Sequence, residues 1–412
     1  MSVNFMFLGG AHEVGNVALE LDVDGVHFLC DYGYAPSKPP TFPKSMSRRP
    51  DLALLSHCHV DHSGMIPHLS GRADVNILAT PPTRAMSELL AYDSIKVAQN
   101  EGYGLPYEGT DVRRAQELFD LASFGVNRVV KNVQVRLRSA GHIPGATMFE
   151  LEGSKNILFT GDINTVDTRL VRGTKPRQCD LLFVESTYAG REHPDRETTE
   201  KRFIERVREV VDRGGKAIIP VFAVGRTQEV LMLLARTGLD TWLDGMGQKV
   251  NRLMLDEPGF LKDPTLLRKA AGRAHYVRGR YLRDAASRGD VIVTTGGMLD
   301  GGPILTYLRN LKEDPKSCVF LTGYQVEGTN GRRLLEKGLI DLGSGPERIE
   351  PKVEFYDFSA HCGHSELVQF VKGCGPEKVV LFHGDEREKL AVDLESEFEV
   401  LMPKNLEKVK LA

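Results

Sequence analysis

The chain has 412 residues, of which 41% are hydrophobic and 26% are charged, and its formal net charge is −3. These values are typical of a globular protein with two domains, and they exclude a globally basic nucleic-acid-binding protein but not a local basic groove. The six cysteines form no C-x-x-C pair, which favours reduced thiols over a disulfide framework.

The N-terminal residues contain neither the basic region nor the long apolar region of a signal peptide. No apolar run in the sequence approaches the roughly 20 residues that a bilayer-spanning helix needs. We therefore expect a cytoplasmic protein without a membrane partner.

The first predicted elements are short strands. Residues 3–8 form an apolar strand, and residues 17–21 and 26–30 form a hairpin around an Asp-Gly turn. Asp31 directly follows the third strand. Two interpretations of Asp31 stay open, namely a carboxylate that orients a metal-bound histidine and an ordinary turn residue.

The most informative stretch follows the apolar run at residues 52–55 and reads His57-x-His59-x-Asp61-His62. Imidazole and carboxylate groups together suit a borderline ion such as zinc. Alternation in an extended segment predicts that side chains 57, 59 and 61 point the same way. A histidine-rich surface loop without a metal is the alternative, but a loop at the end of a buried strand favours a metal site.

Further candidate residues stand at the ends of later predicted strands. After predicted helices at 82–97 and 111–122, His142 lies between glycines, which let the backbone approach a ligand closely. A lone histidine is more often structural, and only the incomplete metal site upstream favours a ligand. Asp162 and Glu185 each end an apolar strand, and the repetition of acids at strand ends indicates one shared site.

From residue 193 the pattern changes to alternating strands and helices, which predicts a second, largely parallel α/β unit. A buried strand at 216–222 leads through a glycine turn to Arg226 and a helix at 228–235. This arrangement is typical of anion sites, and an ordinary βα turn explains it equally well. Arginines and lysines cluster near the later Gly-rich loops and could line a phosphate backbone. No G-x-x-x-x-G-K-[S/T] loop occurs, which argues against ATP hydrolysis.

Histidines return near the C-terminus. His361 stands in Phe-Ser-Ala-His, and His364 precedes a predicted helix at 366–372. His383 directly follows an apolar strand, as the earlier candidates do. We interpret His364 as a helix-start residue and Cys362 as a small buried thiol.

Together these residues resemble the metallo-β-lactamase superfamily. The pattern that matches its ligand set comprises His57, His59, Asp61, His62, His142, Asp162 and His383. The pattern that resembles the three extra motifs of its β-CASP nuclease branch comprises Glu185, His361 and His383. Segments 220–226 and 323–329 are similar to the branch that contains the cleavage and polyadenylation specificity factor endonuclease, and closest to its short archaeal and bacterial relatives. Two departures are Asn16, where a basic residue is common, and Cys362-Gly363, where Ala-Asp is common.

The resemblance implies an α/β fold, specifically an αββα metallo-β-lactamase sandwich with an inserted α/β β-CASP domain. Residues 1–192 and 358–412 would then form the metallo-β-lactamase domain, and residues 193–357 the insertion. The chain begins at the catalytic part, so we expect the N-terminal RNA-binding module of some relatives to be absent.

The resemblance also implies roles for individual residues. One zinc ion would take His57, His59 and His142, the other would take Asp61, His62 and His383, and Asp162 would bridge the two. Asp31 would orient a metal-bound histidine without binding the ion itself. His361 would act as general acid with Glu185 holding it, and Asp61 and Asp162 would share in catalysis. The expected contacts to RNA phosphates are Arg226, Gly328, Thr329 and Ser359.

The implied function is zinc-dependent hydrolysis of single-stranded RNA, as an endonuclease, a 5′-to-3′ exonuclease or both, in RNA processing or decay. RNA-processing proteins and a second copy of the chain stay open as partners. Three alternatives are a small-molecule hydrolase, a β-CASP DNA nuclease and a catalytically silent RNA-binding paralogue. The insertion and the Glu185/His361 pair count against the first. His383 stands where DNA-directed members usually carry valine, and a silent paralogue would lose ligands.

Overall fold

The computed structural model describes residues 3–37, 39–71 and 75–411. They form two compact units. The first comprises Met1–Asp167, Arg172–Glu192 and Ala360–Ala412, and the second comprises Thr168–Val171 and His193–Ser359. The short segment Thr168–Val171 belongs to the second unit because the backbone of Leu170 is hydrogen bonded to the side chain of Glu229 and to the backbone of Lys262.

The first unit contains two sheets of mixed direction. The first sheet has the order β22-β1-β2-β3-β4-β5-β6. Its strands are β1 Val3–Gly9, β2 Ala18–Val23, β3 Val26–Cys30, β4 Leu52–Leu54, β5 Ile77–Ala79, β6 Phe119–Leu121 and β22 Val409–Leu411. The antiparallel β2–β3 pair is the predicted hairpin.

The second sheet of this unit has the order β21-β20-β11-β10-β9-β8-β7. Its strands are β7 Asn127–Val130, β8 Val133–Ser139, β9 Thr147–Glu152, β10 Asn156–Phe159, β11 Leu181–Glu185, β20 Lys378–Phe382 and β21 Glu399–Leu401. Strands β10, β11 and β20 run parallel to their neighbours in this group, so their carboxyl ends lie at one edge.

A buried aromatic core lies between the two sheets. The rings of Phe7 and Phe382 stack with centroids 5.5 Å apart, and those of Phe5 and Phe183 meet edge to face at 5.0 Å. Burial of such rings is the largest apolar contribution to a core of this kind. Alternate residues of the first sheet, such as Leu29, face the opposite side and pack against helices.

Helices therefore cover the sheets, which confirms the predicted αββα sandwich. They are α1 Val60–Ser63, α2 Ile66–Ser70, α3 Pro81–Glu101, α4 Gly109–Glu117, α12 His364–Cys374 and α13 Arg387–Leu394. One prediction was wrong in part. The helix expected to reach residue 122 ends at Glu117, because residues Phe119–Leu121 pair with Ile77–Ala79 as a parallel edge strand. Sheet pairing overrides the local helical preference there.

The second unit is a parallel sheet with the order β14-β13-β15-β12-β16-β19. Its strands are β12 Ala217–Val221, β13 Thr241–Asp244, β14 His275–Val277, β15 Val291–Thr295, β16 Cys318–Leu321 and β19 Lys352–Phe355, with a hairpin of β17 Leu339–Asp341 and β18 Pro346–Arg348. Its helices are α5 Arg196–Asp212, α6 Arg226–Leu234, α7 Gly247–Asp256, α8 Pro264–Arg273, α9 Arg283–Ala286, α10 Ile304–Leu311 and α11 Asn330–Lys337, with 3₁₀ turns at Pro258–Phe260 and Arg280–Leu282. The predicted inserted α/β domain is confirmed.

Two further features concern the cysteines and the helices. All six cysteines are buried free thiols. Within the described part of the chain, no helix has both the length and the apolar composition needed to cross a bilayer.

Candidate metal centre

The candidate ligands meet in the first unit, in the loops that follow strands of both sheets. His57 and His59 follow β4, and His142 lies in the loop between β8 and β9. Asp162 comes shortly after β10, and His383 directly after β20. Because carboxyl ends of parallel strands share an edge, residues far apart in sequence come together here.

The sequence predicts an extended segment over residues 57–61, but in the structure the extended backbone ends at His59. His59 is the N-cap of the one-turn helix α1, so Asp61 and His62 lie on its first turn. The turn is short, and backbone hydrogen bonds to a neighbouring segment hold it: Tyr32 N–H donates to His62 O, and Val17 N–H to Asp61 O. Long-range pairing therefore decides the conformation of this segment.

The first cluster consists of His57, His59, His142 and Asp162, whose donor atoms all lie within 4.8 Å of one another. The Nε2 atoms of His57 and His142 each lie 3.1 Å from Nδ1 of His59. They lie 3.5 and 3.7 Å from Oδ2 of Asp162. A tetrahedral zinc ion with bonds of about 2.0–2.1 Å separates its ligand atoms by roughly 3.3–3.4 Å, so these four atoms have the spacing of a zinc ligand set.

The second cluster consists of Asp61, His62 and His383, again within 4.8 Å. Oδ1 of Asp162 lies 3.2 Å from Nε2 of His62 and 3.7 Å from Nε2 of His383. Nε2 of His383 lies 3.7 Å from Oδ2 of Asp61. The two oxygens of Asp162 thus face different clusters, which is the position that a bridging carboxylate needs.

Hydrogen bonding within the clusters supports a cation site. Nε2 of His62 and Oδ1 of Asp162 are buried and lie 3.2 Å apart, but neither makes a well-directed hydrogen bond within the described part of the chain. Leaving such atoms unpaired costs free energy, and a cation between them would remove that cost. The donor set, imidazole nitrogens and carboxylate oxygens, also suits zinc. The residues present therefore fit a metal.

Burial and mutual charge set the protonation of the cluster. Burial lowers the pKa of His57 and of His142 well below the usual value, which keeps their rings neutral, the form that binds metals. Burial alone would raise the pKa of Asp162, but His62 and the other surrounding histidines hold it well below the usual range. The centre is thus ready to accept a cation without losing carboxyl protons.

Asp31 fixes the orientation of the His62 ring through the nitrogen that faces away from Asp162. Nδ1–H of His62 donates to Oδ2 of Asp31 at 2.7 Å, which turns Nε2 towards Asp162. The same carboxylate accepts the N–H and the hydroxyl of Ser56, both at 2.7 Å. This hydrogen bond to a candidate ligand is compatible with the orienting role predicted for Asp31, which stays a prediction. Ser56 was not singled out in the sequence, although its place directly before His57 is a usable signal.

The Nδ1 atoms of His142 and His383 have opposite hydrogen-bonding roles. Nδ1–H of His142 donates to the carbonyl of Ala360 at 2.8 Å, which leaves Nε2 free as a ligand. Nδ1 of His383 instead accepts the N–H of Gly15 at 3.2 Å. A neutral ring that accepts at Nδ1 keeps its proton on Nε2, so a cation can bind there only as that proton leaves. His383 is the candidate ligand whose arrangement fits a metal least closely.

The backbone around the centre is strained and closely packed. Asp31 and His383 adopt φ values of +58° and +53°, which cost free energy for residues other than glycine and cluster at functional sites. At Gly33 an added Cβ would lie 1.8 Å from the carbonyl oxygen of Asp61. Only glycine lets the chain pass this close to α1.

His361 and Glu185 form a pair beside the clusters. Nδ1–H of His361 donates to Oε1 of Glu185 at 3.0 Å, and Nε2 of His361 lies 3.9 Å from Oδ2 of Asp162. Glu185 is completely buried and accepts the N–H groups of Ile163 and Thr187 at 2.9 and 3.2 Å. Burial lowers the pKa of His361, but the carboxylates of Glu185 and Asp162 raise it to about 9.

The expected RNA-phosphate contacts lie in the second unit. Arg226 begins α6, with its guanidinium carbon 5.9 Å from the ring centroid of Phe358. The N–H of Ser359 donates to Asp357 at 2.9 Å. Gly328 has a φ of +83° and precedes Thr329, which caps α11. Arg226 and Ser359 thus flank the same aromatic residue, whereas Gly328 and Thr329 belong to a separate loop.

The αββα sandwich and the two histidine–aspartate clusters define a metal-dependent hydrolase of the metallo-β-lactamase class. A chain named "Probable RNase MJ4", from Methanocaldococcus jannaschii, is 37% identical over 99% of this chain and 100% of its own length. The chain belongs to the β-CASP ribonuclease family of the metallo-β-lactamase superfamily.

Other similarities agree with this membership. Three family descriptions match, namely "Beta-lactamase superfamily domain" over residues 30–213, "Beta-Casp domain" over 208–334, and "Zn-dependent metallo-hydrolase RNA specificity domain" over 346–403. A chain named "RNase aCSPSF2" from Saccharolobus solfataricus is 35% identical over 100% of this chain and 86% of its own length. A "Transcription termination factor FttA" from Methanocaldococcus jannaschii is 31% identical over 93% of this chain and 67% of its own length.

A solved structure of a protein of unknown function from Enterococcus faecalis V583 is also similar. It has a TM-score of 0.64 at 13% identity and covers 100% of both chains. At this identity, the similarity concerns the fold alone.

Proposed function

We propose that this chain hydrolyses phosphodiester bonds of single-stranded RNA and that two zinc ions are its cofactors. His57, His59 and His142 would hold one ion, and Asp61, His62 and His383 the other. Asp162 would bridge them. The family membership and the relatives named as ribonucleases support RNA as the substrate class.

The observation that carries the proposal is the division of Asp162 between two ligand clusters. Oδ2 lies near the Nε2 atoms of His57 and His142, and Oδ1 lies near those of His62 and His383. When bound, paired zinc ions supply Lewis acidity to a phosphate and lower the pKa of water. The protein's part is to hold that site rigid, and Asp31 does so by fixing the orientation of His62.

His361 is the proposed general acid. Glu185 accepts the Nδ1 proton, which orients the ring and stabilises its charged form. The second proton, on Nε2, is then available for the oxygen that leaves phosphorus. Two backbone N–H groups fix Glu185, so the pair is ordered before substrate arrives.

Glu185 and His361 also approach Asp162 closely enough to form a third candidate metal group within 4.8 Å. Oε1 of Glu185, however, already accepts hydrogen bonds from His361 and Ile163. A role in proton transfer therefore fits this pair better than a role as ligands.

Single-turnover cleavage of end-labelled oligonucleotides tests the proposal. Zinc-loaded wild-type protein should cleave single-stranded RNA, and Asp162→Asn should not. Labels at the 5′ and the 3′ end separate internal cuts from stepwise removal of nucleotides. Cleavage of DNA in preference to RNA would show a DNA nuclease, and zinc binding without cleavage of either would show a silent paralogue. Both outcomes would reject the proposal.

A further inference from the structure

Phe222 directly follows β12 in the second unit, and 40% of its surface is exposed. Single exposed apolar residues are common on protein surfaces, so the exposure alone indicates nothing. Phe222 is distinguished by its position at the end of a sheet strand and by the glycine loops that pack around its ring.

The position is the topological switch point of the parallel sheet. From β12 the chain crosses to β13, beyond β15 on one side, and from the neighbouring strand β16 it crosses to β19 on the other side. Where crossovers diverge in this way, a crevice opens at the carboxyl ends of the two strands, and α/β proteins bind ligands there. Phe222 stands at the carboxyl end of β12, beside that crevice.

Glycines flank the ring on both sides. A Cβ added to Gly297, which follows β15, would lie 3.3–3.4 Å from Cε1, Cδ1 and Cζ of Phe222. A Cβ added to Gly323, which follows β16, would lie 3.1 Å from Cε2, on the opposite side of the ring axis. Any side chain at either position would press on the ring or cover it. The two neighbouring loops thus leave the ring uncovered while bracing it.

Hydrogen bonds make this frame rigid. Gln325 is buried, and its Nε2 donates to the carbonyls of both Gly297 and Gly323, at 3.1 and 2.9 Å. The N–H and the hydroxyl of Thr227 donate to the carbonyl of Phe222 at 3.1 and 2.7 Å. A ring held in this way loses little conformational entropy when a flat ligand stacks on it.

We propose that Phe222 is the stacking platform for one nucleobase of a single-stranded RNA substrate. The inference rests on the proposed function, because it names the residue that holds the substrate's base. A single ring between two glycine loops matches the area of one base and is far smaller than the apolar area of a protein–protein interface. Because every base has a π-face, such a platform accepts RNA of any sequence.

The surrounding charges predict how this contact responds to salt. The loop after β15 contains Asp300, and the loop after β16 contains Glu327, so both loops that flank the ring carry an acidic residue. Stacking is not ionic, and its contribution should not change with salt concentration, whereas contacts to phosphates weaken steeply as salt rises.

The test is a double-mutant cycle that combines variants of the protein with modified RNAs. Binding is measured by fluorescence anisotropy in the presence of a metal chelator, so that no cleavage occurs. Phe222→Ala should weaken binding about 5- to 150-fold, and Phe222→Trp should restore it. The matched control is Phe355→Ala, because Phe355 is 43% exposed in the same unit and should change binding little. If Phe222→Ala fails to fold, Phe222→Leu replaces it.

The RNA partner in the cycle is a series of oligonucleotides with one abasic nucleotide at each position in turn. At one position the abasic change should weaken binding to wild-type protein but not to the Phe222 variant, and this difference should persist from low to high salt. Additive losses at every position would overturn the platform, as would equal losses in the Phe355 control. Failure of the zinc-loaded wild-type protein to cleave RNA would instead reject the proposed function. The binding assay and the cleavage assay therefore distinguish a wrong platform from a wrong function.

Discussion

Nδ1 of His361 lies 3.0 Å from Oε1 of Glu185, and two backbone N–H groups fix that carboxylate in a fully buried position. The residues are 176 positions apart in the sequence. This pair separates the chemistry of the site into two parts, because the clusters around Asp162 can bind cations while His361 can supply a proton.

The first prediction concerns the protonation of His361 in metal-free protein. Its pKa is raised to about 9 by Glu185 and Asp162 despite burial, so the charged ring stabilises the fold below the ordinary histidine pKa near 6.5. That contribution disappears as the pH rises through about 9. Glu185→Gln removes the carboxylate that raises the pKa of His361 more and should lower the titration midpoint of the ring. Nitrogen NMR of the imidazole measures it.

The matched control for this titration is Glu192→Gln. Glu192 accepts hydrogen bonds from Ser365, and the same change of charge at that position should leave the midpoint of His361 where it was. A midpoint that does not move in Glu185→Gln would show that another group sets the pKa.

The second prediction concerns the proposed general acid. His361→Ala should reduce the single-turnover rate constant for RNA cleavage about 10²–10⁴-fold while the zinc content stays as in the wild type. His57→Ala should lose zinc as well as activity. Elemental analysis alongside the kinetic assay distinguishes the two results.

His364→Ala is the neighbouring control. His364 starts α12, its Nδ1 accepts the N–H of Gly190, and its Nε2 lies 2.6 Å from Asp393. Its loss should lower the melting temperature with little change in the rate constant. An unchanged rate in His361→Ala, or an equal loss in both variants, would refute the assignment of the acid.

The third prediction concerns the support of His62. Asp31→Asn weakens the hydrogen bond that orients the ring, and zinc affinity should fall about 10- to 100-fold. Competition with a fluorescent chelator measures the affinity. Asp24→Asn is a close control, because Asp24 also has a positive φ, of +50°, and bonds to Ser154 at the surface. Equal affinities of both variants would contradict a supporting role for Asp31.

The fourth prediction concerns stability. Gly33→Ala places a Cβ against the backbone of Asp61, which neither segment can avoid without moving α1, so the free energy of unfolding should fall by about 3 kcal/mol. Gly104→Ala is the control, because an added Cβ there meets no atom within 4 Å. Thermal unfolding of both variants with and without zinc measures the effect. A Gly33 variant as stable as the Gly104 variant would contradict the close approach.

Much of the site could be predicted because its residues are locally marked. Asp162, Glu185 and His383 each stand at the end of an apolar run, and those runs are strands of one parallel group. The family resemblance then arranged the ligands into two clusters, and the distances at Asp162 agree with that division.

Other features carry no local signal. The helical turn α1 depends on hydrogen bonds to Tyr32 and Val17, and the proton position on His383 depends on Gly15, 368 residues away in the sequence. Phe222 lies in the family-like segment 220–226, but nothing in that segment shows that two glycine loops frame the ring, which only the order of the strands brings about.

The most direct test of the central claim is a zinc titration of metal-free protein, with metal content and single-turnover RNA cleavage measured on the same samples. Cleavage should be negligible in metal-free protein and rise to its full rate as the second equivalent of zinc per chain binds. Full activity at one equivalent, or cleavage that persists in metal-free protein, would contradict a two-zinc ribonuclease.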